Sequence, residues 1–218
     1  MSSSTRRRIL LATAGTTGLS LALPAWARLL RTPAQALGPF FPRQLPLDSD
    51  NDLVSVAGQR GIAQGEICHL HGRVVDEAGQ PVAAARVEIW QCNAFGRYHH
   101  PDDGSDRPLD ANFQGYGRFT TGSDGGYRFR TIKPVAYPGR APHVHFAVTV
   151  ADRAPLVTQM YVAGALENAG DGLLRSVRQP QARAALLATF ERPAAGGELL
   201  ARFDIVLGAI APAGSGKG

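Results

Sequence analysis

The sequence predicts an all-β protein: a β-sandwich of mostly antiparallel strands, with long loops and an extended N-terminal arm. Two observations carry the prediction. From residue 66 onward, short runs rich in β-branched and aromatic residues recur, each bounded by turns containing Gly or Pro. Against these, only Gln181–Phe190 carries a helical pattern. The stretch Leu30–Gly65 accounts for the arm, being turn-rich, with Pro33, Pro39, Pro42 and Pro46 and little periodicity.

In chain order, the first segment reads as an address. Thr5-Arg6-Arg7-Arg8-Ile9-Leu10-Leu11 is a twin-arginine pattern, an apolar stretch runs to Leu23, and Ala25-Trp26-Ala27 offers a small-x-small cleavage site. That stretch is shorter than the roughly 20 residues that span a bilayer. Residues 1–27 are therefore expected to be removed on export to the periplasm or beyond, with an ordinary secretory signal as the other route. Residues 28–65 form the arm, 66–208 the β domain, and 209–218 a small, polar, flexible tail. Within the domain, Ile67–Val75 and Val82–Cys92 flank a turn and suggest a hairpin. Gly117–Thr121 and Tyr127–Ile132 suggest a second, and His143–Val150, Leu156–Ala163 and Leu199–Leu207 complete the strands. Between Asn93 and Gln114 lies a loop longer than the usual limit of about 12–15 residues, a length that is commonly functional.

Charge excludes one function class. Residues 1–27 hold three of the 23 basic residues and none of the 18 acids, so the net charge falls from +5 to +2 once they are removed. No basic patch with interleaved aromatics remains for nucleic acid, and no later segment reads as a membrane span. Two cysteines, Cys68 and Cys92, are too few for a disulfide scaffold. Two buried thiols are the favoured reading, a single bridge the other.

Chemistry concentrates in Tyr137-Pro138-Gly139-Arg140-Ala141-Pro142-His143-Val144-His145. On a strand, His143 and His145 point to one side with their Cα atoms roughly 6.5–7 Å apart, close enough for both rings to reach one metal ion. A bare His-x-His more often lines a solvated face. The nearby Tyr137 shifts the balance, because a Pro-Gly turn can fold its ring back. A phenolate with imidazoles suits ferric iron better than zinc or copper(I).

The remaining donors come into view with a resemblance. Glu88-Ile89-Trp90-Gln91, Gly96-Arg97-Tyr98, Pro108–Phe113, Tyr127–Pro134, Tyr137-Pro138, His143-Val144-His145-Phe146, Thr158-Gln159-Met160-Tyr161 and Arg202–Leu207 together resemble the intradiol ring-cleavage dioxygenases. Gly38-Pro39-Phe40-Phe41-Pro42 and Asp50-Asn51-Asp52-Leu53 resemble that family's N-terminal arm. The likeness covers nearly the whole chain after residue 27. It implies a mononuclear, non-haem Fe(III) held by Tyr98 and His143 as equatorial ligands and Tyr137 and His145 as axial ones, with a solvent hydroxide as the fifth. It also implies O2-dependent cleavage of a catechol between its hydroxyl-bearing carbons to a cis,cis-muconate-type diacid. In that chemistry Tyr137 would leave the metal and take a substrate proton, while Arg140 and Gln159 would line the substrate pocket. The partners expected are a catechol-type small molecule and O2, without nucleic acid or membrane, and with homo-oligomerisation left open. Gly139 stands where the protocatechuate enzymes carry tryptophan, which implies a more open pocket wall. His69, His71, His99 and His100 match no ligand motif.

Two other readings fit parts of the pattern: a copper- or zinc-binding β-sandwich resembling superoxide dismutase, and a non-catalytic, transthyretin-like binding module. Neither uses two tyrosines beside His-x-His. Replacing both Arg6 and Arg7 with Lys is expected to abolish export through the twin-arginine route. Periplasmic yield measures this directly, and an unchanged yield assigns export to another route.

Overall fold

A computed structural model of the chain describes residues 28–46, 48–151 and 153–208. The expected signal and tail lie outside these residues. The described chain is mostly sheet, with ten strands and two short α-helices. In order these are β1 (Ile67–Val75), β2 (Arg86–Trp90), β3 (Tyr116–Thr120), β4 (Gly126–Ile132), β5 (His143–Thr149) and β6 (Leu156–Val162). Then come α1 (Gly172–Ser176), α2 (Pro180–Ala184), β7 (Leu187–Ala188), β8 (Phe190–Glu191), β9 (Leu199–Arg202) and β10 (Ile205–Val206).

The strands form two five-stranded sheets. One has β1 at its centre, with β4 antiparallel on one side, β9 and β10 parallel on the other, and β8 beyond β9. The other runs β3-β2-β5-β6-β7, antiparallel except for the last pair. Alternation along β1 buries Cys68, Leu70 and Val74 and exposes His69 and His71. Leu70 and Val74 share one apolar cluster with Phe129 of β4, Val87 and Ile89 of β2, and Val144, Phe146 and Val148 of β5. The rings of Phe146 and Phe203 meet across it, 5.0 Å between centroids.

Neither expected hairpin forms. β1 pairs with β4 and β2 with β3 and β5, so each proposed partner lies in the opposite sheet. The reason lies in the alternation itself. Period-2 burial says which face of a strand is apolar, and either sheet offers such a face to the shared core. The two connections cross between the sheets side by side, tied by Val82 N–H to Val74 O and Val74 N–H to Gly125 O, both 2.9 Å.

The expected helix Gln181–Phe190 is also shorter than its pattern suggests. Helix α2 starts at Pro180, a good first-turn residue, and stops at Ala184. The rest is captured by the edge of β6, where Tyr161 N–H and Ala163 N–H each donate 2.8 Å bonds to Leu186 O and Ala188 O. Satisfying open strand edges outweighs a weak helical preference.

The expected closing strand Leu199–Leu207 is broken at Phe203-Asp204. Gly72 sits opposite the break: a Cβ there would lie 1.8 Å from Phe203 O and 2.8 Å from Tyr127 Oη. That carbonyl accepts the buried Tyr127 hydroxyl, so the absent side chain makes room for a buried hydrogen bond. Gly72→Ala is expected to destabilise the fold by at least the ~1–3 kcal/mol typical of overpacking, read from a urea-denaturation midpoint.

The described residues of 28–65 wrap the domain without helix or regular strand. Thr32 bonds with Val206, Gln35 N–H donates to Val157 O, and Leu53 N–H donates to Arg130 O. Leu53 and Val54 end fully buried in the core.

Candidate metal centre

A second, smaller apolar cluster lies on the far face of β5. Here Trp90, Cys92, Tyr98, Tyr116 and Ala147 pack with Phe40, Phe41, Val135, Tyr137 and Val157. Because side chains alternate, Val144 and Phe146 turn to the main core while His143 and His145 turn into this second cluster. Both imidazoles are almost wholly buried. The expectation that the two rings share a face is met, and the face is a packed one.

Each ring is held separately. His143 Nδ1 lies 2.6 Å from Ala141 O. A carbonyl only accepts, so Nδ1 carries the proton and Nε2 presents its lone pair. His145 stacks on Trp90, its cross-strand neighbour, with centroids 4.8 Å apart and planes 8° from parallel. Its Nδ1 finds no partner among the described residues, so stacking orients it. The two Nε2 atoms end 3.1 Å apart. Burial, helped by the charge of Arg140, pushes His143 down to about 4. Burial, then His143 and Arg140, holds His145 well below the usual histidine range. Both rings are therefore neutral near pH 7.

Tyr98 reaches this point from the 91–115 segment, its hydroxyl 3.5 Å from His143 Nε2. Asp103 fixes its backbone, accepting Tyr98 N–H at 2.7 Å, and Phe40 of the arm stacks on its ring at 4.6 Å. Tyr137 comes from the other side. Tyr137–Arg140 is a tight turn, with Arg140 N–H to Tyr137 O at 2.9 Å, Pro138 second and Gly139 third at φ +79°. That is the arrangement of a type II turn, which requires positive φ at the third residue. The two tyrosine rings meet edge to face, 5.7 Å apart. Burial raises the pKa of both phenols, strongly for Tyr98; Arg140 opposes the rise at Tyr137.

Arg140 and Gln159 flank the cluster and touch. Arg140 Nη2 donates to Gln159 Oε1, and Nη1 lies 3.4 Å from Tyr137 Oη. Gln159 is opposite His145 on β6 and donates to Ala36 O in the arm. All six residues singled out from the sequence, Tyr98, Tyr137, Arg140, His143, His145 and Gln159, thus come together. Of the other histidines, His69 pairs with Glu198, and His100 packs against Phe40 behind Tyr98. Cys68 and Cys92 are separate buried thiols, pushed up to about 12 chiefly by burial.

Sequence reasoning missed four contributors. Trp90 and Phe40 lay inside quoted motifs, but their stacking on His145 and Tyr98 has no sequence signature. Gly38, at φ +78°, brings the arm so close that a Cβ would sit 3.1 Å from the His145 ring. Asp171, whose carboxylate takes Arg140 Nε at 2.9 Å, carries no sequence mark of that contact. The Asp-Gly-Leu-Leu start of α1 signals a helix cap, but nothing local points back to residue 140.

Comparison with known proteins first defines the class. Residues 37–209 match the family model Dioxygenase_C, described as Dioxygenase. The relatives then make it particular. The chain is 43% identical over 169 residues to the protocatechuate 3,4-dioxygenase beta chain of Burkholderia cepacia, covering 72% of this chain and 71% of that one. It is 34% identical over 206 residues to the hydroxyquinol 1,2-dioxygenase of Nocardioides simplex, covering 81% of this chain and 64% of that enzyme. Its fold matches the dioxygenase domain of a dioxygenase–carbohydrate-binding fusion from Streptomyces sp. SirexAA-E, with a TM-score of 0.64 and 29% identity, covering 83% of this chain and 99% of that one. The chain belongs to the intradiol ring-cleavage dioxygenases and is an oxidoreductase. Neither the dismutase-like nor the transthyretin-like reading draws support from these likenesses.

Proposed function

We propose that the chain is a ferric, non-haem dioxygenase that opens a catechol-type ring between its two hydroxyl-bearing carbons, using O2 and giving a cis,cis-muconate-type diacid. The two sheets act as a β-sandwich scaffold for it, with Tyr98, Tyr137, His143 and His145 as the metal ligands. The observation that carries the reading is the pair of neutral imidazole nitrogens 3.1 Å apart with two phenols beside them.

This donor set fits iron. The two imidazole nitrogens, 3.1 Å apart, stand close enough to be shared by one ion. Oxygen and imidazole donors, two of them able to become anionic, match a hard trivalent cation. Burial alone keeps both phenols protonated, and a bound cation inverts that preference.

When bound, the ferric ion supplies the Lewis acidity that holds a catechol as its dianion and opens its ring to O2. The protein groups divide the rest. Tyr98, fully buried beneath Phe40, stays in place. Tyr137, at the edge of the cluster, gives up its position and accepts a substrate proton at Oη. Arg140 keeps its charge whatever the pH of the site, and it stabilises the negative charge that builds on the ring. Gln159 holds the Nη2 side of that guanidinium and ties it to the arm. Trp90 and Phe40 keep water out. A Cβ at Gly139 would meet nothing within 4 Å, which leaves room for a ring substituent. Protocatechuate and hydroxyquinol, named for the relatives above, are such substituted catechols. We assign residues 1–27 to export, so the enzyme works in the periplasm or outside the cell.

The purified, iron-loaded protein is expected to be red to brown from tyrosinate-to-iron charge transfer, with a band that shifts when a catechol is added without O2. A colourless protein carrying stoichiometric copper or zinc, and inactive after iron reconstitution, would overturn the assignment.

Arg140→Ala is expected to slow the reaction of the preformed catechol complex with O2 by about 10²–10³, while iron content and colour stay unchanged. Arg140→Lys should recover only part of this, because an ammonium lacks the planar fork. Single-turnover kinetics provide the measurement.

A further inference from the structure

We propose that Asp171 is a positioning residue for ring cleavage: its buried carboxylate grips the inner edge of Arg140 and thereby turns the outer edge of the guanidinium to Tyr137 and Gln159. The proposal rests on the reading of the site given above. It adds a residue that touches neither the ligand cluster nor the space a substrate would fill.

The geometry is economical. The Asp171 side chain has no exposed surface, and its two oxygens accept three bonds, each 2.9 Å long. Oδ1 takes Leu174 N–H and caps α1, a helix of only five residues. Oδ2 takes both Arg140 Nε–H and Ala141 N–H. One carboxylate oxygen therefore holds the Arg140 side chain and the next peptide together. The carbonyl of that same Ala141 fixes the proton of His143 on Nδ1.

Arg140 shows what this accomplishes. A guanidinium has five donors in a rigid plane. With Nε committed to Asp171, both terminal nitrogens face the other way, Nη1 to Tyr137 Oη and Nη2 to Gln159 Oε1 and Tyr161 Oη. Long side chains lose substantial rotamer freedom when held. Without the inner anchor, an arginine that still has some exposed surface could swing towards solvent. A carboxylate beside the cation also weakens its field, so charge alone does not explain the pair. Direction does.

Asp171→Asn tests this. An amide oxygen can still accept from Arg140 Nε, but the amide nitrogen then faces Leu174 N–H, donor against donor, so the three bonds cannot all survive. Four iron-loaded full-length proteins are compared: wild type, Asp171→Asn, Arg140→Ala and the double variant. The readings are affinity for 4-nitrocatechol titrated without O2, the single-turnover rate with O2, iron content and the urea midpoint.

Removing a supporting partner of this kind typically costs about 10–100-fold, and that loss is expected in the oxygen rate of Asp171→Asn with iron content retained. In the Arg140→Ala background the same substitution should change rate and affinity by less than about twofold, because the group it acts through is gone. Equal factors in both backgrounds would make Asp171 a structural cap only, as would a lowered urea midpoint with an unchanged rate and affinity. Should Asp171→Asn not fold, Asp171→Glu enters the same cycle, since it keeps the charge but displaces the carboxylate by a methylene. A wild-type protein that neither binds nor cleaves a catechol would overturn the reading of the site, and this inference with it.

Discussion

Two uncharged imidazoles meet nitrogen to nitrogen at 3.1 Å on the outward side of a central strand, and the rest of the structure answers to that contact. Polar groups taken out of water must be partnered or they cost stability, so a pair of buried histidines on what would otherwise be a solvated face needs both a cover and individual restraints. The cover comes from chain outside the strands: the arm at Gly38–Phe41 and the segment carrying Tyr98. The restraints differ for each ring, a carbonyl for His143 and an indole face for His145. A β-protein of two sheets ordinarily leaves its outer faces wet. Here one outer face is closed by an apolar cluster separate from the main core, and chemistry can be placed there without weakening that core.

This division explains what could be read from the sequence. Strand positions were legible because burial alternates: His143-Val144-His145-Phe146 tells a reader that two histidines leave on one side and two apolar residues on the other. The turn before them was legible because Tyr-Pro-Gly-Arg has Pro and Gly where a type II turn needs them. Tyr98 had to come from likeness to a family, since a tyrosine 45 residues from His143 carries no local mark of its use. Strand partners were not legible. Leu70 and Val87 look equally apolar to a pattern, and only the assembled core decides that they enter it from opposite sheets. The same holds for Gln181–Phe190, where an open strand edge captured residues that a helical pattern had claimed.

The arm is the clearest case of meaning that emerges only in three dimensions. As sequence it is a run of prolines and glycines. Folded, it lines the site from end to end: Gln35 Oε1 receives the Tyr161 hydroxyl at 3.1 Å, Ala36 O receives Gln159, Gly38 lies against His145, and the Phe40 ring covers Tyr98. Prolines suit such a role because they limit the freedom the arm would lose on docking. A helix or strand could not approach His145 so closely, because a side chain at the position of Gly38 would both strain the backbone and meet the ring.

The burial gradient across the cluster then assigns different lives to chemically identical groups. Tyr98 sits beneath an aromatic ring with almost no exposed surface, and its hydroxyl faces His143. Tyr137 stands at the rim on a turn whose next two residues are exposed, beside a guanidinium that eases its ionisation. Of two phenols, the one with access to solvent is the one whose hydroxyl lies beside a positive charge. That charge is fixed because a carboxylate with no exposed surface at all holds it from behind. Differences in packing, not in residue type, separate the covered phenol from the one at the rim. They follow from which side of each group the fold chose to cover.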